Sequence, residues 1–144
     1  MNRGKNGIEE MLAAQGWWVS TTAGWSMFPM LRDRRDSIVL YPADRPIRRY
    51  DVVLYRSGDS YILHRVLKIY PDHFLIRGDN CFFMENVPRG QILAVLGEFY
   101  RGDKRIDMQG LPYKIYVRIW RWLYPVRFMI HKGRVRLCCM RKKN

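Results

Sequence analysis

The stretch YILHRVLKIYPDHFLIRGDN, residues 61–80, carries the strongest strand signal of the chain. Residues 61–70 are rich in Ile, Leu, Val and Tyr, which favour strands, and the Pro-Asp pair at 71–72 is typical of a turn. Residues 73–77 are again strand-like, and Gly-Asp-Asn at 78–80 favours a second turn. The stretch therefore predicts two strands that pair back on each other as an antiparallel hairpin.

Short strand-like segments separated by polar turns lie on both sides of this hairpin. A short helix is predicted before them at residues 8–15, where Gly16 ends it. The further predicted strands are residues 17–22, 37–41, 50–56, 91–101 and 105–108. Many short strands with polar turns favour a mainly β fold, and we expect a coiled, barrel-like antiparallel sheet with a short N-terminal helix.

The pattern changes after residue 110, where the apolar residues follow a helical period. Lys114, Arg118 and Arg121 share one face of a helix predicted over residues 112–124. Pro112 suits the first turn of this helix and Pro125 suits its end. We predict a β domain at 1–110 and a basic amphipathic helix and tail at 111–144. The opposite, apolar face holds Tyr116, Ile119, Trp120 and Leu123.

Charge is distributed unevenly along the 144 residues. The net charge is +13, and the chain has no acidic residue after Asp107 but ten basic ones. This asymmetry indicates an anionic partner, either a membrane surface or a nucleic acid, unless the tail is simply solvated. A helix with Trp, Tyr and Ile on one face and Lys and Arg on the other suits a membrane interface, so we expect an anionic membrane surface rather than nucleic acid.

Cysteine content and apolar runs restrict the cellular context. Cys81, Cys138 and Cys139 have no spacing typical of a disulfide framework or a zinc site, and we expect no metal and no cofactor. Glu9 and Glu10 interrupt any secretory signal, and no apolar run is long enough to span a membrane. These patterns predict a cytoplasmic or peripherally membrane-associated protein.

Three polar residues, Ser26, His64 and Asp79, together meet the needs of acyl transfer. A serine hydroxyl becomes a nucleophile when a base takes its proton, and histidine is suited to that task near neutral pH. A carboxylate can then orient the imidazole and stabilise its charged form. Each residue alone has a structural explanation, since His is often a core residue and Asp a turn residue.

The segment GWSMFPML, residues 24–31, places Ser26 on a constrained turn. Pro29 fixes its own φ angle, and Gly24 allows a substrate backbone to come close. Backbone N–H groups of Ser26 and Met27 are candidates to stabilise an oxyanion. Lys68, four residues after His64, is an alternative base if burial lowers the pKa of its amine.

The order of motifs resembles a known family. Gly-x-Ser-Met-x-Pro-x-Leu, Tyr-Asp-Val-Val-Leu-Tyr, His-Arg-Val-Leu and Arg-Gly-Asp-Asn follow one another over residues 24–100, as in type I signal peptidases and their clan, which includes LexA-like repressors. The His-Arg-Val block resembles the Ser–His type of archaea and the endoplasmic reticulum. The resemblance implies that Ser26 is the nucleophile and His64 the base, with Asp79 between Gly78 and Asn80 as supporting carboxylate.

The same resemblance implies a function and leaves two features open. It implies a serine endopeptidase that cleaves a precursor or signal-like peptide at small residues, within a coiled β peptidase core. The family has a further acidic residue after the Gly-Asp-Asn motif, and Glu85 is the candidate here. Trp25 stands where the family often has a small residue, so the resemblance does not determine the shape of the substrate pocket. The alternative function is a catalytically inactive basic module that binds a membrane surface or nucleic acid.

Overall fold

The computed structural model describes residues 7–141, and the side chains of residues 7–134. The chain divides into two compact units, residues 1–107 and residues 108–144. The elements of the first unit are α1 (Gly7–Gln15), β1 (Trp18–Thr21), β2 (Asp36–Pro42), β3 (Val52–Ser57), β4 (Ser60–Ile69), β5 (His73–Arg77), β6 (Glu85–Pro88), a 3-10 turn (Arg89–Gln91), β7 (Ile92–Arg101) and β8 (Lys104–Ile106). The second unit contains α2 (Leu111–Trp122) and α3 (Tyr124–Arg141).

The first unit is one antiparallel sheet with the strand order β1-β2-β7-β3-β4-β5-β6, and β8 pairs with β7. The predicted mainly β fold and the N-terminal helix are confirmed. The sheet is not a closed barrel, so the expected barrel-like closure is wrong. Strands β1 and β6 stand at the two ends of the order, and within the described residues each pairs with one neighbour only.

The hairpin predicted from residues 61–80 is present as β4 and β5. Arg65 pairs with Arg77, and a bulge follows Val66. A bulge places an extra residue in one strand and changes the side-chain alternation beyond it. Lys68, just after the bulge, is therefore exposed, whereas His64, before it, is buried.

A hydrophobic core lies on the face shared by β3, β4, β5, β6 and β7. In β3 and β5 the cluster members are two residues apart, because side chains alternate across a strand. Tyr55 is 1% exposed and is the one residue of this cluster with a hydroxyl group. The cluster consists of Val53, Tyr55, Val66, Phe74, Ile76, Val87, Ile92 and Val95.

Two elements differ from the sequence prediction. Strand β6 has the sequence Glu-Asn-Val-Pro, which has weak strand propensity, and it forms through pairing with β5. Pro125 was expected to end the C-terminal helix, but it is the second residue of α3. A helix does not use the N–H groups of its first turn, so proline is tolerated there and begins a helix instead of stopping one.

Among the helices of the described residues, none has the length and apolar character required to cross a membrane.

Candidate active site

The loop between β1 and β2 carries Ser26 and is held by backbone and side-chain bonds. The Gly24 N–H donates to Asp33 Oδ1 at 2.7 Å. The Arg32 N–H donates to the buried Asp36 Oδ2 at 2.9 Å. Because Asp33 lies later in the same loop and Asp36 begins β2, these bonds fix the loop on both sides of the turn around Ser26. Gly24 has a φ of +90°, a conformation that favours glycine.

Ser26 lies inside a tight turn. The Phe28 N–H donates to Trp25 O at 3.1 Å, and the Leu31 N–H donates to Met27 O at 2.9 Å. The Phe28–Pro29 peptide bond is cis. Within the described residues, the hydroxyl of Ser26 and the N–H groups of Ser26 and Met27 make no hydrogen bond to the protein.

The turn after β5 meets the Ser26 loop at a single glycine. The Asn80 N–H donates to Ser26 O at 2.8 Å and joins the two loops. A Cβ atom on Gly78 would lie 2.6 Å from Ser26 O, 2.8 Å from Cys81 Sγ and 2.8 Å from His64 Nε2. Only glycine fits here, because it has no side chain. The space that a side chain would fill is bordered by Ser26, His64 and Cys81.

His64 projects from β4 and is 5% exposed. Its Nε2 lies on the Gly78 side, 3.9 Å from Cys81 Sγ. Its Nδ1 lies 3.1 Å from the Tyr55 hydroxyl oxygen and 3.6 Å from Glu85 Oε1. The two ring nitrogens therefore face different partners, with Nε2 toward the Ser26 loop and Nδ1 toward a tyrosine and a carboxylate.

The hydrogen-bond pattern sets the tautomer of His64. The Tyr55 hydroxyl donates its proton to Glu85 Oε2 at 2.9 Å, since an ionised carboxylate can only accept. The tyrosine oxygen then accepts a hydrogen bond from His64 Nδ1–H. This leaves Nε2 without a proton and with its lone pair on the Ser26 side, as a general base requires.

Burial and nearby charges act in opposite directions on His64. Burial lowers the pKa of the imidazole, while the carboxylates of Glu85 and Asp79 raise it in part. The pKa of Tyr55 is raised by burial and by its hydrogen bond to Glu85. Tyr55 is consequently a neutral donor, and His64 is a neutral base at pH 7.

Asp79 has a different main partner from the one predicted. Its two carboxylate oxygens accept bonds from Arg65 Nε at 2.8 Å and Nη2 at 2.7 Å. Both side chains are buried, and Arg65 Nη1 also donates to Tyr50 O at 3.0 Å. Asp79 therefore stabilises the fold around the site, and Glu85 is the carboxylate at His64 Nδ1.

The alternative base, Lys68, lies apart from this arrangement of groups. Its side chain is exposed, and its Nζ lies over the Tyr70 ring, 4.8 Å from the centroid. The basic nitrogen that meets the Ser26 loop belongs to His64.

Exposed apolar side chains occur on both loops of the site. Trp25 is 60% exposed and stacks at an angle on Phe28, with ring centroids 5.7 Å apart. On the other loop, Phe83 is 81% exposed and Met84 is 48% exposed. We refer to Trp25, Phe28, Phe83 and Met84 as the apolar rim.

Sequence reasoning missed two residues of the site, Tyr55 and Cys81. Tyr55 is in β3, and the pairing of Val53 with His64 brings this strand beside the histidine. Side chains two residues apart lie on the same face of a strand, so Tyr55 shares a face with Val53. This spacing was the sequence signal that could have identified Tyr55 as a site residue. Cys81 directly follows the Gly-Asp-Asn motif.

The described residues contain no group of three or more His, Cys, Asp and Glu side chains that could hold a metal ion.

Neither a scan against protein-family models nor a search of curated proteins finds a match to this chain.

Proposed function

We propose that this protein is a serine endopeptidase of the signal-peptidase type, with Ser26 as nucleophile and His64 as general base. The observation that carries the proposal is the position of His64. Its Nδ1 is held by Tyr55 and Glu85, and its Nε2 meets the Ser26 loop at Gly78. A base with an orienting group, beside the loop of the candidate nucleophile, supports acyl transfer as the reaction.

In the proposed reaction, the Ser26 hydroxyl oxygen attacks the carbonyl carbon of a peptide bond while His64 Nε2 takes its proton. The C–N bond then breaks, and His64 gives the proton to the departing amine. Water hydrolyses the acyl-enzyme, again with His64 as base. In many free enzymes the hydrogen bond from nucleophile to base is long and shortens when substrate binds.

Charge stabilisation in this reaction comes from two places. The unpaired N–H groups of Ser26 and Met27 are suited to bind the oxyanion, as preorganised backbone donors do. Glu85 lies 3.6 Å from His64 Nδ1 and stabilises the imidazolium that forms. The proposal gives Glu85 the supporting role at the histidine, and it gives Asp79 the role of holding Arg65 and the adjoining turn.

The sheet edges support an extended peptide as substrate. Strand β1 leads into the Ser26 loop, and β6 begins at Glu85. Both are end strands of the sheet, so each has backbone groups on its outer edge with which an added strand can pair. A peptide bound along β1 would pair with the strand that leads into the Ser26 loop, and one bound along β6 would pair with the strand that begins at Glu85.

The apolar rim supports apolar substrate side chains next to the bond that is cut. Large exposed hydrophobic residues clustered at a site are typical of binding surfaces. We propose that the substrate is a precursor peptide with apolar residues near a cleavage site of small residues. Phe83, at 81% exposed, is the rim residue with the most surface available to a ligand.

Cys81 offers a competing nucleophile, because its Sγ lies 3.9 Å from His64 Nε2. A cysteine acts as a nucleophile in its thiolate form. Here burial and the carboxylate of Glu85 raise the pKa of the thiol, so the thiol keeps its proton at neutral pH. We favour Ser26 because the N–H groups of Ser26 and Met27, which make no hydrogen bond within the described residues, can bind the oxyanion that forms beside this hydroxyl. The other alternative is a catalytically inactive basic module that binds a membrane surface or nucleic acid. Binding of this kind requires neither Ser26 nor Cys81.

The test is cleavage of a mixed-sequence synthetic peptide library, read by mass spectrometry. We expect the wild-type chain to cleave, Ser26→Ala and His64→Ala to be inactive, and Cys81→Ala to retain cleavage. Loss of cleavage in Cys81→Ala with retention in Ser26→Ala would assign the nucleophile to the cysteine. Absence of cleavage by a folded wild-type chain would contradict the peptidase proposal and favour the binding module.

A further inference from the structure

The two helices of the second unit carry a row of exposed apolar side chains. The row consists of Leu111, Ile115, Ile119, Trp122, Val126, Met129 and Ile130, which are 44–78% exposed. From Leu111 to Met129 successive members are three or four residues apart, the spacing that keeps side chains on one face of a helix, and Ile130 lies four residues after Val126. We call this row the exposed stripe.

The stripe continues across the junction of α2 and α3. The Leu123 N–H donates to Ile119 O at 2.9 Å, and the Arg127 N–H donates to Leu123 O at 3.0 Å. These are helical bonds from residue i to residue i−4, and they carry the helical direction past the end of α2. Residues on either side of the junction therefore belong to one continuous surface.

A separate set of apolar residues occupies the other side of α2. Val117 is buried, and Tyr116 and Trp120 are half-buried and stacked, with ring centroids 6.2 Å apart. The sequence pattern placed Ile119 and Trp120 on the same face, but Ile119 is exposed and belongs to the stripe. The stripe thus has no cover of its own within the described residues of this unit.

Basic side chains border the stripe. Lys114, Arg118 and Arg121 are exposed, and each precedes a stripe residue by one position. Lys114 and Arg118 also lie three residues after Leu111 and Ile115, so they flank one side of the stripe. Residues 108–144 contain ten basic residues and no acidic residue. A surface that is apolar along its centre and cationic along its side complements a partner with an apolar interior and anionic headgroups.

We propose that the exposed stripe lies in the surface of an anionic lipid bilayer, with the helix axes parallel to the membrane plane. The apolar side chains enter the boundary between headgroups and acyl chains, and Trp122 suits this depth because its ring is amphipathic. The basic side chains remain level with the lipid phosphates and bind them electrostatically. This inference does not depend on the peptidase reaction.

The test is co-sedimentation of the full chain with vesicles of phosphatidylcholine alone and of phosphatidylcholine mixed with phosphatidylglycerol. We expect strong binding to the mixed vesicles, weak binding to the neutral ones, and a decrease at high ionic strength. The double variant Ile119→Ser/Trp122→Ser should reduce partitioning by about tenfold or more, because two buried side chains are lost.

A matched control uses exposed apolar residues of the first unit. Trp17 is 46% exposed and Val19 is 49% exposed, so Trp17→Ser/Val19→Ser removes the same kinds of surface outside the stripe. It should leave vesicle binding unchanged. Circular dichroism of both double variants establishes that their helices and strands are retained.

Three outcomes would overturn the proposal. The first is equal binding of the stripe variant and the wild-type chain to mixed vesicles. The second is binding to a short duplex DNA but to no vesicle, which would assign the basic surface to nucleic acid. The third is a dimer in sedimentation velocity that the stripe variant abolishes, which would assign the stripe to a second copy of the chain.

Discussion

Tyr55 has one hydroxyl proton, and the direction in which it points decides which nitrogen of His64 is basic. The proton goes to Glu85 Oε2, so the tyrosine oxygen accepts from Nδ1–H of the histidine. Tyr55 is thus a positioning residue that acts on His64. Its hydroxyl is buried, which keeps water from competing for these bonds.

The variant Tyr55→Phe removes the nearer acceptor of His64 Nδ1–H and leaves Glu85 Oε1, at 3.6 Å, as the remaining one. We expect part of the imidazole population to shift toward the tautomer with the proton on Nε2, and peptide cleavage to fall by at least about tenfold. Long-range ¹⁵N–¹H NMR correlations of His64 report the tautomer directly. The matched control is Tyr61→Phe, which loses a hydrogen bond to Glu9 at the surface. An unchanged His64 tautomer in Tyr55→Phe would contradict the positioning role.

The pKa of His64 determines the acid limb of the pH profile of kcat/KM, because a protonated imidazole cannot act as a base. Burial lowers the pKa, so we expect the wild-type limb below the ordinary histidine value of about 6.5. The Glu85 carboxylate favours the protonated imidazole and raises the pKa, so Glu85→Gln should move the limb to still lower pH. The pH profile of kcat/KM measures both positions. A limb that stays in place or moves upward in Glu85→Gln would contradict this electrostatic role.

At the scale of elements, the site depends on how closely the β5 turn approaches β4 and the Ser26 loop. Gly78 lies at the point where they meet, and the buried Arg65–Asp79 pair also joins β4 to the turn after β5. Arg65 also contacts Met30 of the Ser26 loop, with Nη2 2.9 Å from Sδ. One arginine therefore connects β4, the turn after β5 and the loop of the nucleophile.

The variant Gly78→Ala tests the close approach. A Cβ atom would meet Ser26 O at 2.6 Å, so the loops must separate. We expect a loss of about 1–3 kcal/mol in the free energy of unfolding and a clear fall in kcat/KM. Gly90→Ala is the control, because its Cβ meets nothing within 4 Å. Equal stability and activity of the two variants would show that the approach is not tight.

The variant Asp79→Asn separates a structural role from a catalytic one. It removes the carboxylate charge that the buried Arg65 meets at 2.7 Å, and we expect a loss of about 3–5 kcal/mol in the free energy of unfolding, measured in urea. The double variant Arg65→Met/Asp79→Leu should recover most of this loss and retain cleavage. Glu98→Gln weakens a partly exposed pair with Arg105 and should cost at most about 1 kcal/mol. Recovered stability without any cleavage would mean that Asp79 takes part in the chemistry, as the sequence suggested.

At the scale of the whole molecule, the two compact units differ in character. Residues 1–107 contain the sheet, the hydrophobic core cluster and the candidate catalytic groups. Residues 108–144 contain the basic helices and the exposed stripe. The charge asymmetry of the sequence therefore follows the structural division of the chain.

This division predicts that a chain ending at Asp107 folds without the helices. Every strand and every member of the core cluster lies before that residue, so the loss should leave the core intact. We expect a cooperative thermal transition, and cleavage of soluble peptides within about threefold of the full chain. A truncated chain without a cooperative transition would show that the helices are needed for the sheet to fold.

The sequence by itself determined most of the strands, the N-terminal helix, α2 and the charge polarity, because these depend on local propensity and on the alternation of apolar residues. It did not predict α3, because Pro125 was expected to end the helix. It indicated the β4–β5 hairpin and the candidate residues Ser26 and His64. It did not reveal β6, whose strand forms by pairing. It also could not show that the sheet stays open, since closure depends on whether two distant strands meet.

The tertiary structure decided which groups meet at the histidine. Asp79 and Glu85 are equally good acids in the sequence, and alternation along one strand cannot distinguish between them. The fold pairs Asp79 with Arg65 and brings Glu85 to the Nδ1 side, through Tyr55 of a neighbouring strand. The physical reason is that these contacts join residues far apart in sequence, so the packing of strands selects them and no local pattern records them.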